Sequence, residues 1–459
     1  MQSMKPLNPF DTVDPSWAWA GWEPSASEPW DTARAAHLYR RSAFGADSQT
    51  ISAAVESSLE ATLDRIMGRP NGEPQLSDAS NQLASSVLAA NDSRGLSAWW
   101  LYTMLNSSTP CAEKMTLFWH GHFATGAEKV QDAQLMFDQN CLLRTHALGR
   151  VPDLVHGIAK DPAMLNYLDS AVNRKAHPNE NFARELMELF CLGEGNYSEK
   201  DVQELARCFT GWEIKRKQFR FNPYQHDEGA KQLLGASDIE SGDQAVDAVL
   251  ASPHAPRFMV GKLFRFFIAD EPAPPAALLE PLARQLVTDD WHIASVVRTM
   301  LRSRLMYSPM VRGRKVRSPV DWALNWINAC EITTNLKKLS QALNELGQTL
   351  FYPPNVKGWD GGRAWINSST LIGRTNLINQ LLRDDSTRLA AGDLETFFRG
   401  QRITSIEALI NWLERQLLAN PLTTASRERL NDAMMAAGGI KRIADCLVLA
   451  ASLPEFQLA

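Results

Sequence analysis

Apolar residues recur at intervals of three and four positions along most of the chain, starting in the segment DTARAAHLYRRSAFG at residues 31–45. This spacing places apolar side chains on one face of each helix, so it predicts a mainly α-helical, multi-helix globular protein. Strict alternation of apolar and polar residues is rare, and it is clearest around Phe219 and Phe221 in KRKQFRFNPYQ. That segment predicts one short β-hairpin near residues 215–226, inserted between helices.

The pattern changes at both ends of the chain. Residues 1–31 are predicted to form an irregular strap that docks on the body, because free indole rings would expose a large apolar surface. The tryptophans of this strap are Trp17, Trp19, Trp22 and Trp30. An aromatic platform for a sugar or a partner is the alternative. Residues 32–385 are predicted to form the main helical domain. Residues 386–459 are predicted to form a C-terminal helical unit packed on that domain, because SIEALINWLERQLL and GIKRIADCLVLAASL keep helical spacing.

Composition narrows the classes of partner. The 459 residues carry a formal net charge of −5, which argues against nucleic acid or an anionic membrane as the main partner. No run approaches the roughly 18 continuous apolar residues of a membrane-spanning helix. The first residues include proline and aspartate where an export signal needs an apolar core, and the six cysteines lack CxxC spacing. These features predict a cytoplasmic protein with reduced thiols.

The first candidate site is the pair His120 and His122 in the stretch KMTLFWHGHFATG. Glu113, Thr116 and His120 fall on one helical face, so Glu113 is a candidate partner that orients His120. Two residues correspond to about 200° around a helix, so both imidazoles can face one metal ion only if the helix ends near Gly121. The alternative is two packed core histidines, each bonded to one carbonyl group.

The second candidate site is HPNENFARELMELFCLGEGNYS, predicted to be one helix between Pro178 and Gly193. The helix is apolar on two sides, which predicts burial on both and a cleft along the polar stripe between them. Glu185 and Glu188 lie three residues apart in that stripe and could converge on one site. A structural ion-pair network with Arg184 is the alternative.

Two loop segments are weaker candidates. His226 and Asp227 in HDEGAK are a candidate ligand pair or acid-base pair, in a chain that has only nine histidines. The segment VRGRKVRSP at residues 311–319, the basic turn, has four cationic residues. Such a turn usually faces solvent, and phosphate binding is the alternative.

A long aromatic segment, FYPPNVKGWDGGRAWINSSTLIGRTN, is predicted to stay irregular until a helix begins at about Ser368. The free N–H groups of a helix N-terminus favour an anion. Lys357, Arg363 and Arg374 are therefore candidates for cofactor binding. A loop that fills the core is the alternative.

Six motifs resemble one known family. They are HLYRRSAFGA, EKMTLFWHGHFAT, NENFARELMELFCLG, EKDVQELARCFTGW, HDEGAK and PPNVKGWDGGRAW, in this order. Together they resemble the bacterial family called domain of unknown function 1800, from about residue 30 to the closing LPEFQLA. The resemblance implies a helical bacterial protein with no assigned activity. It also implies a possible partner, since genes for a sulfatase-like family often lie beside those of this family.

Two functions of different classes follow. The first is a metal-dependent enzyme of hydrolytic or oxidative chemistry, in which iron, manganese or zinc polarises the substrate or activates a water molecule. Its metal ligands would be His120, His122, Glu185 and Glu188. Its catalytic groups would be Glu185, Glu188, His226 and Asp227. The second is a non-catalytic binding or assembly module that works with a sulfatase-like protein. Convergence of the motifs in one cleft, and metal analysis of protein purified without chelator, would separate the two.

Overall fold

Helices account for most of the architecture. The structure is a computed structural model that describes residues 8–68, 76–390, 392–418 and 420–459. Within these ranges the chain forms 25 α-helices and two small antiparallel sheets, which confirms the predicted mainly α-helical class. None of the helices described has both the length and the apolar character needed to cross a membrane.

The helices of the first part of the chain are α1 (Pro15–Trp19), α2 (Thr32–Ser42), α3 (Ser48–Glu56), α4 (Leu59–Met67), α5 (Asp78–Ala89), α6 (Gly95–Asn106), α7 (Pro110–His122), α8 (Ala127–Val130), α9 (Ala133–Thr145), α10 (Val151–Ala159), α11 (Pro162–Tyr167), α12 (Asn181–Glu185) and α13 (Glu199–Cys208). The helices that follow are α14 (Gly242–Leu250), α15 (His254–Phe267), α16 (Ala276–Thr288), α17 (Ile293–Arg302), α18 (Arg304–Tyr307), α19 (Pro319–Ala329), α20 (Leu336–Glu345), α21 (Ser368–Arg383), α22 (Leu394–Gly400), α23 (Ile406–Gln416), α24 (Thr424–Ala436) and α25 (Ile443–Ala451). A π-helical segment, Leu186–Cys191, follows α12 directly.

The predicted hairpin consists of β1 (Trp212–Lys215) and β2 (Gln218–Phe221), paired antiparallel. It begins three residues before the predicted segment, and Arg216 and Lys217 form its turn with positive φ angles of 54° and 63°. A second sheet, β3 (Ile332–Thr333) with β4 (Arg388–Leu389), was not predicted. Strands of two residues are too short to show an alternating pattern in the sequence.

Two clusters of buried apolar residues form the interior. The first core draws mainly on the segments from α2 to α4 and from α10 to α18, and the second on α5, α6 and α19 to α25. Helix α7 contributes Met115 to the first core and Leu117 to the second. A helix that is apolar all round is buried on every side, and α7 occupies such a position. The second core includes Leu381 and Leu409, so it extends across residue 386, the predicted start of the C-terminal unit. The division into these two units stays a prediction.

The tryptophan segment contacts the body at several points. Trp19 Nε1 donates a hydrogen bond to the Leu278 carbonyl oxygen at 2.7 Å, and Trp30 Nε1 donates to the Ala54 carbonyl oxygen at 2.8 Å. Trp22 packs on Tyr307, with ring centroids 4.9 Å apart. Trp17 remains 38% exposed. The segment contains α1, so it is not irregular throughout as predicted, and residues 1–7 lie outside the described ranges.

Removal of residues 1–30 is expected to lower the melting temperature or the solubility of the protein. The physical reason is that Phe264 and Tyr307 would lose the indole rings that cover them. Thermal unfolding and sedimentation of the truncated chain check this expectation, with Trp17→Ala as a control at an exposed ring. A truncated chain that melts and sediments like the full chain would contradict it.

Candidate functional site

A cavity of about 170 Å³ lies beside α7 and α15, under the loop that joins α20 to α21. We call residues 351–365 the aromatic loop. Four aromatic side chains line the cavity, and they are Phe118, Phe266, Trp359 and Trp365. Four cationic side chains line it as well, and they are Lys262, Arg265, Lys315 and Lys357. The cavity therefore combines apolar ring faces with positive charge.

The backbone of the aromatic loop approaches that of α7 closely at Gly358 and Gly121. Gly358 has a φ angle of 75°, and a Cβ atom there would clash with the carbonyl oxygen of Gly121. A Cβ atom on Gly121 would lie 3.8 Å from Cε3 of Trp359, an ordinary contact distance. Glycine at 358 thus permits the close backbone approach that places Trp359 on the cavity wall.

The two histidines of the first motif have different partners. Helix α7 ends at His122, one residue beyond Gly121 and consistent with the predicted end near that glycine. His120 Nε2 accepts a hydrogen bond from the backbone N–H of Phe351 at 3.0 Å, and His122 Nε2 lies 2.9 Å from the carbonyl oxygen of Phe190. Burial lowers the pKa of both imidazoles to about 3, which keeps them neutral. Of the two, His122 lines the cavity.

Glu113 was predicted to orient His120, but it pairs with Arg144 instead. Both side chains are almost fully buried, and the guanidinium Nε and Nη2 atoms donate to the carboxylate. Trp100 Nε1 also donates to this carboxylate at 2.9 Å, and the Trp100 ring meets the His120 ring edge to face. The link from Glu113 to His120 is therefore indirect.

The helix predicted over the second motif is not a single α-helix. It changes at residue 186 from α12 to the π-helical segment, a form that is common at functional sites. Glu188 accepts a hydrogen bond from the Tyr197 hydroxyl at 2.8 Å. Burial and the charge of Glu188 raise the pKa of Glu185, while the charge of Lys357 lowers it. Glu185 thus lies within electrostatic range of a residue on the cavity wall.

Arg184 forms its ion pairs with carboxylates other than Glu185 and Glu188. Its guanidinium donates to Glu199 at 2.8 Å and to Glu180 at 3.1 Å. The structural network proposed as the alternative therefore forms with other carboxylates.

His226 and Asp227 are not among the residues that line the cavity. They border a separate surface groove with Lys175 and Tyr224. The ring nitrogens of His226 lie 2.8 and 2.9 Å from the carbonyl oxygens of Thr210 and Glu240. Asp227 pairs with Arg207 at 2.7 Å, and this guanidinium lowers the pKa of the Asp227 carboxyl.

The three cations predicted to bind a cofactor have separate locations. Lys357 lines the cavity. The Arg363 side chain is 85% exposed and pairs with Glu271 at 3.1 Å. Arg374 is buried, and its guanidinium donates to the Gln457 side chain and to the Arg317 carbonyl oxygen, each at 2.9 Å.

The predicted helix start at Ser368 is confirmed. Asn367 caps α21 in a capping box with Thr370, and its side chain accepts from the Thr370 backbone N–H. One of the backbone N–H groups at the N-terminus of α21, which were predicted to favour an anion, is therefore already hydrogen-bonded within the chain.

Metal binding by His120, His122, Glu185 and Glu188 stays a prediction. Across the described ranges, no three His, Cys, Asp or Glu side chains form a group suited to hold an ion. The placement of the four residues explains this, because His120 and His122 bond to different backbone segments and Glu188 bonds to Tyr197. Metal analysis of the purified protein tests the prediction.

The sequence reasoning missed two cations that α15 supplies. Lys262 and Arg265 lie three residues apart in GKLFRFF, on a helix whose other residues are mostly apolar. Burial and the charge of Arg265 lower the pKa of Lys262, and no described carboxylate lies within ion-pair distance of either side chain. The only signal in the sequence was a lysine and an arginine three residues apart on a mostly apolar helix. Ordinary surface helices show the same pattern, so it did not indicate a site.

The basic turn contributes to the same region. Lys315 pairs with Asp270 on the cavity wall, and Asp321, which also lines the cavity, pairs with Lys114. Arg40, Arg41 and Arg317 surround the adjoining interior space. Among the residues described, eight cationic and three acidic side chains line the cavity and this space, although the whole chain carries −5. The region is therefore strongly positive relative to the rest of the protein.

Comparison with known proteins identifies the family alone. The family model described as "Protein of unknown function (DUF1800)" matches residues 37–458. No curated protein and no solved structure matches the chain. The match spans nearly the whole chain and includes every motif that faces the cavity. The chain therefore belongs to the DUF1800 family.

Proposed function

We propose that the protein binds a small anionic organic molecule in the cavity beside α7 and α15. The observation that supports this proposal is the set of three cations on the wall, Lys262, Arg265 and Lys357. None of the three lies within ion-pair distance of a described carboxylate. The nearest compensating contact of Arg265 is the Asp360 carbonyl oxygen at 3.3 Å.

Charge in a partly buried position favours an anionic ligand. Lys262 is half-buried and its ammonium lies beside the Phe258 ring, 5.2 Å from the centroid. A desolvated cation without a counter-charge is costly, and an anion that enters the cavity removes that cost. The Coulomb attraction is also stronger there than in bulk water, because the effective dielectric constant is lower.

The aromatic walls favour an organic ion over an inorganic one. Phe118 packs on Phe266 with ring centroids 5.1 Å apart, and Trp359, which also lines the cavity, is partly exposed. Apolar walls with a few convergent polar groups are the usual make-up of a small-molecule site. A ligand with one charged group and one ring or chain suits this combination.

The proposal concerns ligand binding and not catalysis. It therefore overlaps with the non-catalytic binding module that the sequence analysis gave as the second possible function. A metal-dependent reaction and a sulfatase-like partner remain separate hypotheses, each with its own test. Glu185 connects the hypothesis of a metal-dependent reaction with the cavity, because Lys357 on the cavity wall lies within electrostatic range of Glu185. Metal content and ligand affinity can therefore be measured on the same protein and judged independently.

Lys262→Gln is expected to weaken binding of phenyl phosphate and inorganic phosphate by at least about tenfold, or roughly 1.4 kcal/mol. The same substitution is expected to leave the melting temperature of the ligand-free protein unchanged or raised, because it removes an uncompensated cation. Calorimetric titration and thermal unfolding measure the two effects. Lys200→Gln is the control, since Lys200 is exposed on α13 and outside the cavity. Equal affinities for both variants, or no anion binding by the native chain, would contradict the proposal.

A further inference from the structure

The hydrogen bond of His122 defines which of its ring nitrogens is available. A carbonyl oxygen can only accept, so the contact with Phe190 requires that Nε2 of His122 carries the proton. The neutral ring then has an unprotonated Nδ1 with a free lone pair. This Nδ1 is buried and has no hydrogen-bond partner among the described residues. His122 therefore offers an acceptor that the protein itself leaves unused.

The position of this acceptor limits what can satisfy it. His122 lines the cavity, and the charge of Lys262 is near enough to contribute to the low pKa of its imidazole. An anionic oxygen cannot donate a hydrogen bond to Nδ1, whereas a hydroxyl group can. A ligand that pairs with Lys262 and also satisfies His122 needs an acidic group together with a hydrogen-bond donor, and a hydroxyl group is one such donor.

Two carboxylates of the cavity wall are further acceptors. Asp270 and Asp321 each pair with one lysine, and a carboxylate has lone pairs for further hydrogen bonds. Both carboxylates line the cavity. A ligand with several hydroxyl groups could donate to these carboxylates while its acidic group stays near the unpaired cations.

The ring faces and the size of the cavity complete the description. Trp359 is partly exposed, and its position follows from the contact between Gly358 and Gly121. An indole face binds the apolar C–H face of a ring, while the hydroxyl groups at the ring edge remain free for hydrogen bonds. The volume of about 170 Å³ is below the roughly 300–1,000 Å³ of pockets for drug-sized ligands, so it suits one ring.

We infer that the anionic ligand is an acidic sugar, a single hydroxylated ring with one phosphate or carboxylate group. This inference rests on the proposed function and adds the chemical class of the ligand. The acidic group lies near Lys262, Arg265 and Lys357. A hydroxyl group donates to Nδ1 of His122, and the ring packs on Trp359.

Titration of the full chain with five ligands at one ionic strength tests this class. The ligands are glucose 6-phosphate, glucuronate, phenyl phosphate, inorganic phosphate and glucose. At least one of the two acidic sugars is expected to bind about tenfold or more tightly than phenyl phosphate, and glucose is expected to bind more weakly than that sugar. The acidic sugar that binds identifies the charged group.

The outcomes separate the two proposals. If phenyl phosphate binds as tightly as both acidic sugars, the sugar class is wrong and the anion-binding function stands. If none of the anions binds, or if glucose binds as tightly as the acids, both are wrong. Each result is a dissociation constant, so no catalytic activity has to be known.

Two sets of variants locate the sugar contacts. His122→Phe is expected to remove the preference for the acidic sugar over phenyl phosphate, because phenylalanine has no acceptor. A purely structural role of His122 would change both affinities together. Trp359→Leu is expected to weaken binding of the acidic sugar by about tenfold, while Trp359→Phe retains most of it. Trp359 lies on a loop and is half-buried, so this pair remains informative if His122→Phe fails to fold. Unchanged affinity of Trp359→Leu for the acidic sugar would overturn the inference.

Discussion

Glu113→Ala is expected to lower the free energy of unfolding by about 3–5 kcal/mol, the range for a buried ion pair broken on one side. The two side chains of the pair are the most enclosed of the ion pairs described, with 2% exposure for Glu113 and 3% for Arg144. The substitution leaves the Arg144 guanidinium buried opposite an empty site and removes the acceptor of Trp100 Nε1. Urea unfolding of the variant and the native chain measures the difference.

A matched surface pair supplies the control. Glu280 and Arg257 are paired at 2.8 Å, and both side chains are more than two-fifths exposed. Glu280→Ala is expected to change the free energy of unfolding by only about 0.2–1 kcal/mol, because solvent screens the pair. The double variant Glu113→Gln with Arg144→Met is expected to recover part of the loss. A Glu113→Ala variant no less stable than Glu280→Ala would show that the buried pair does not stabilise the fold.

Gly358→Ala is expected to destabilise the protein by about 2–4 kcal/mol, because it combines backbone strain with a steric clash. The φ angle of 75° disfavours any residue with a Cβ atom, and that atom would overlap the carbonyl oxygen of Gly121. The aromatic loop must then move away from α7, and Trp359 moves with it. Thermal unfolding and the quenching of tryptophan fluorescence measure the two consequences.

Gly121→Ala is the matched control on the opposite side of the same contact. Its Cβ atom would meet Trp359 at 3.8 Å without overlap. Alanine also has a higher helix propensity than glycine, by about 0.5–1 kcal/mol, so this variant is expected to be as stable as the native chain or more stable. If both variants lose the same stability, the close approach of the loop is not what requires glycine at residue 358.

The family and the helical class were accessible from the sequence because they depend on local features. Spacing of three and four residues reports the apolar face of a helix, and capping residues report where it begins. The start of α21 at Ser368 was predicted from capping residues, and the hairpin around Phe219 from the alternation of apolar and polar residues. The π-helical segment was not, because its extra residue per turn leaves no mark in a short apolar run.

The candidate site was only partly accessible. His122, Lys357 and Trp359 belong to motifs that the sequence singled out, and they line one cavity. Lys262 and Arg265 belong to no motif, and their importance comes from the lack of an ion-pair partner among the described residues. A missing partner is a property of the surroundings, so no pattern within α15 could reveal it.

The sequence predicted His120 on an apolar helix and His122 at or just past the end of that helix near Gly121. The partners of the two imidazoles depend on tertiary packing, because helix geometry turns the rings to different neighbours. Phe351 donates to His120 from the aromatic loop, while Phe190 accepts from His122, whose Nδ1 has no hydrogen-bond partner among the described residues. Phe190 is 68 residues from His122 along the chain, and Phe351 is 231 residues from His120. These residues come into contact only when the two cores pack around α7.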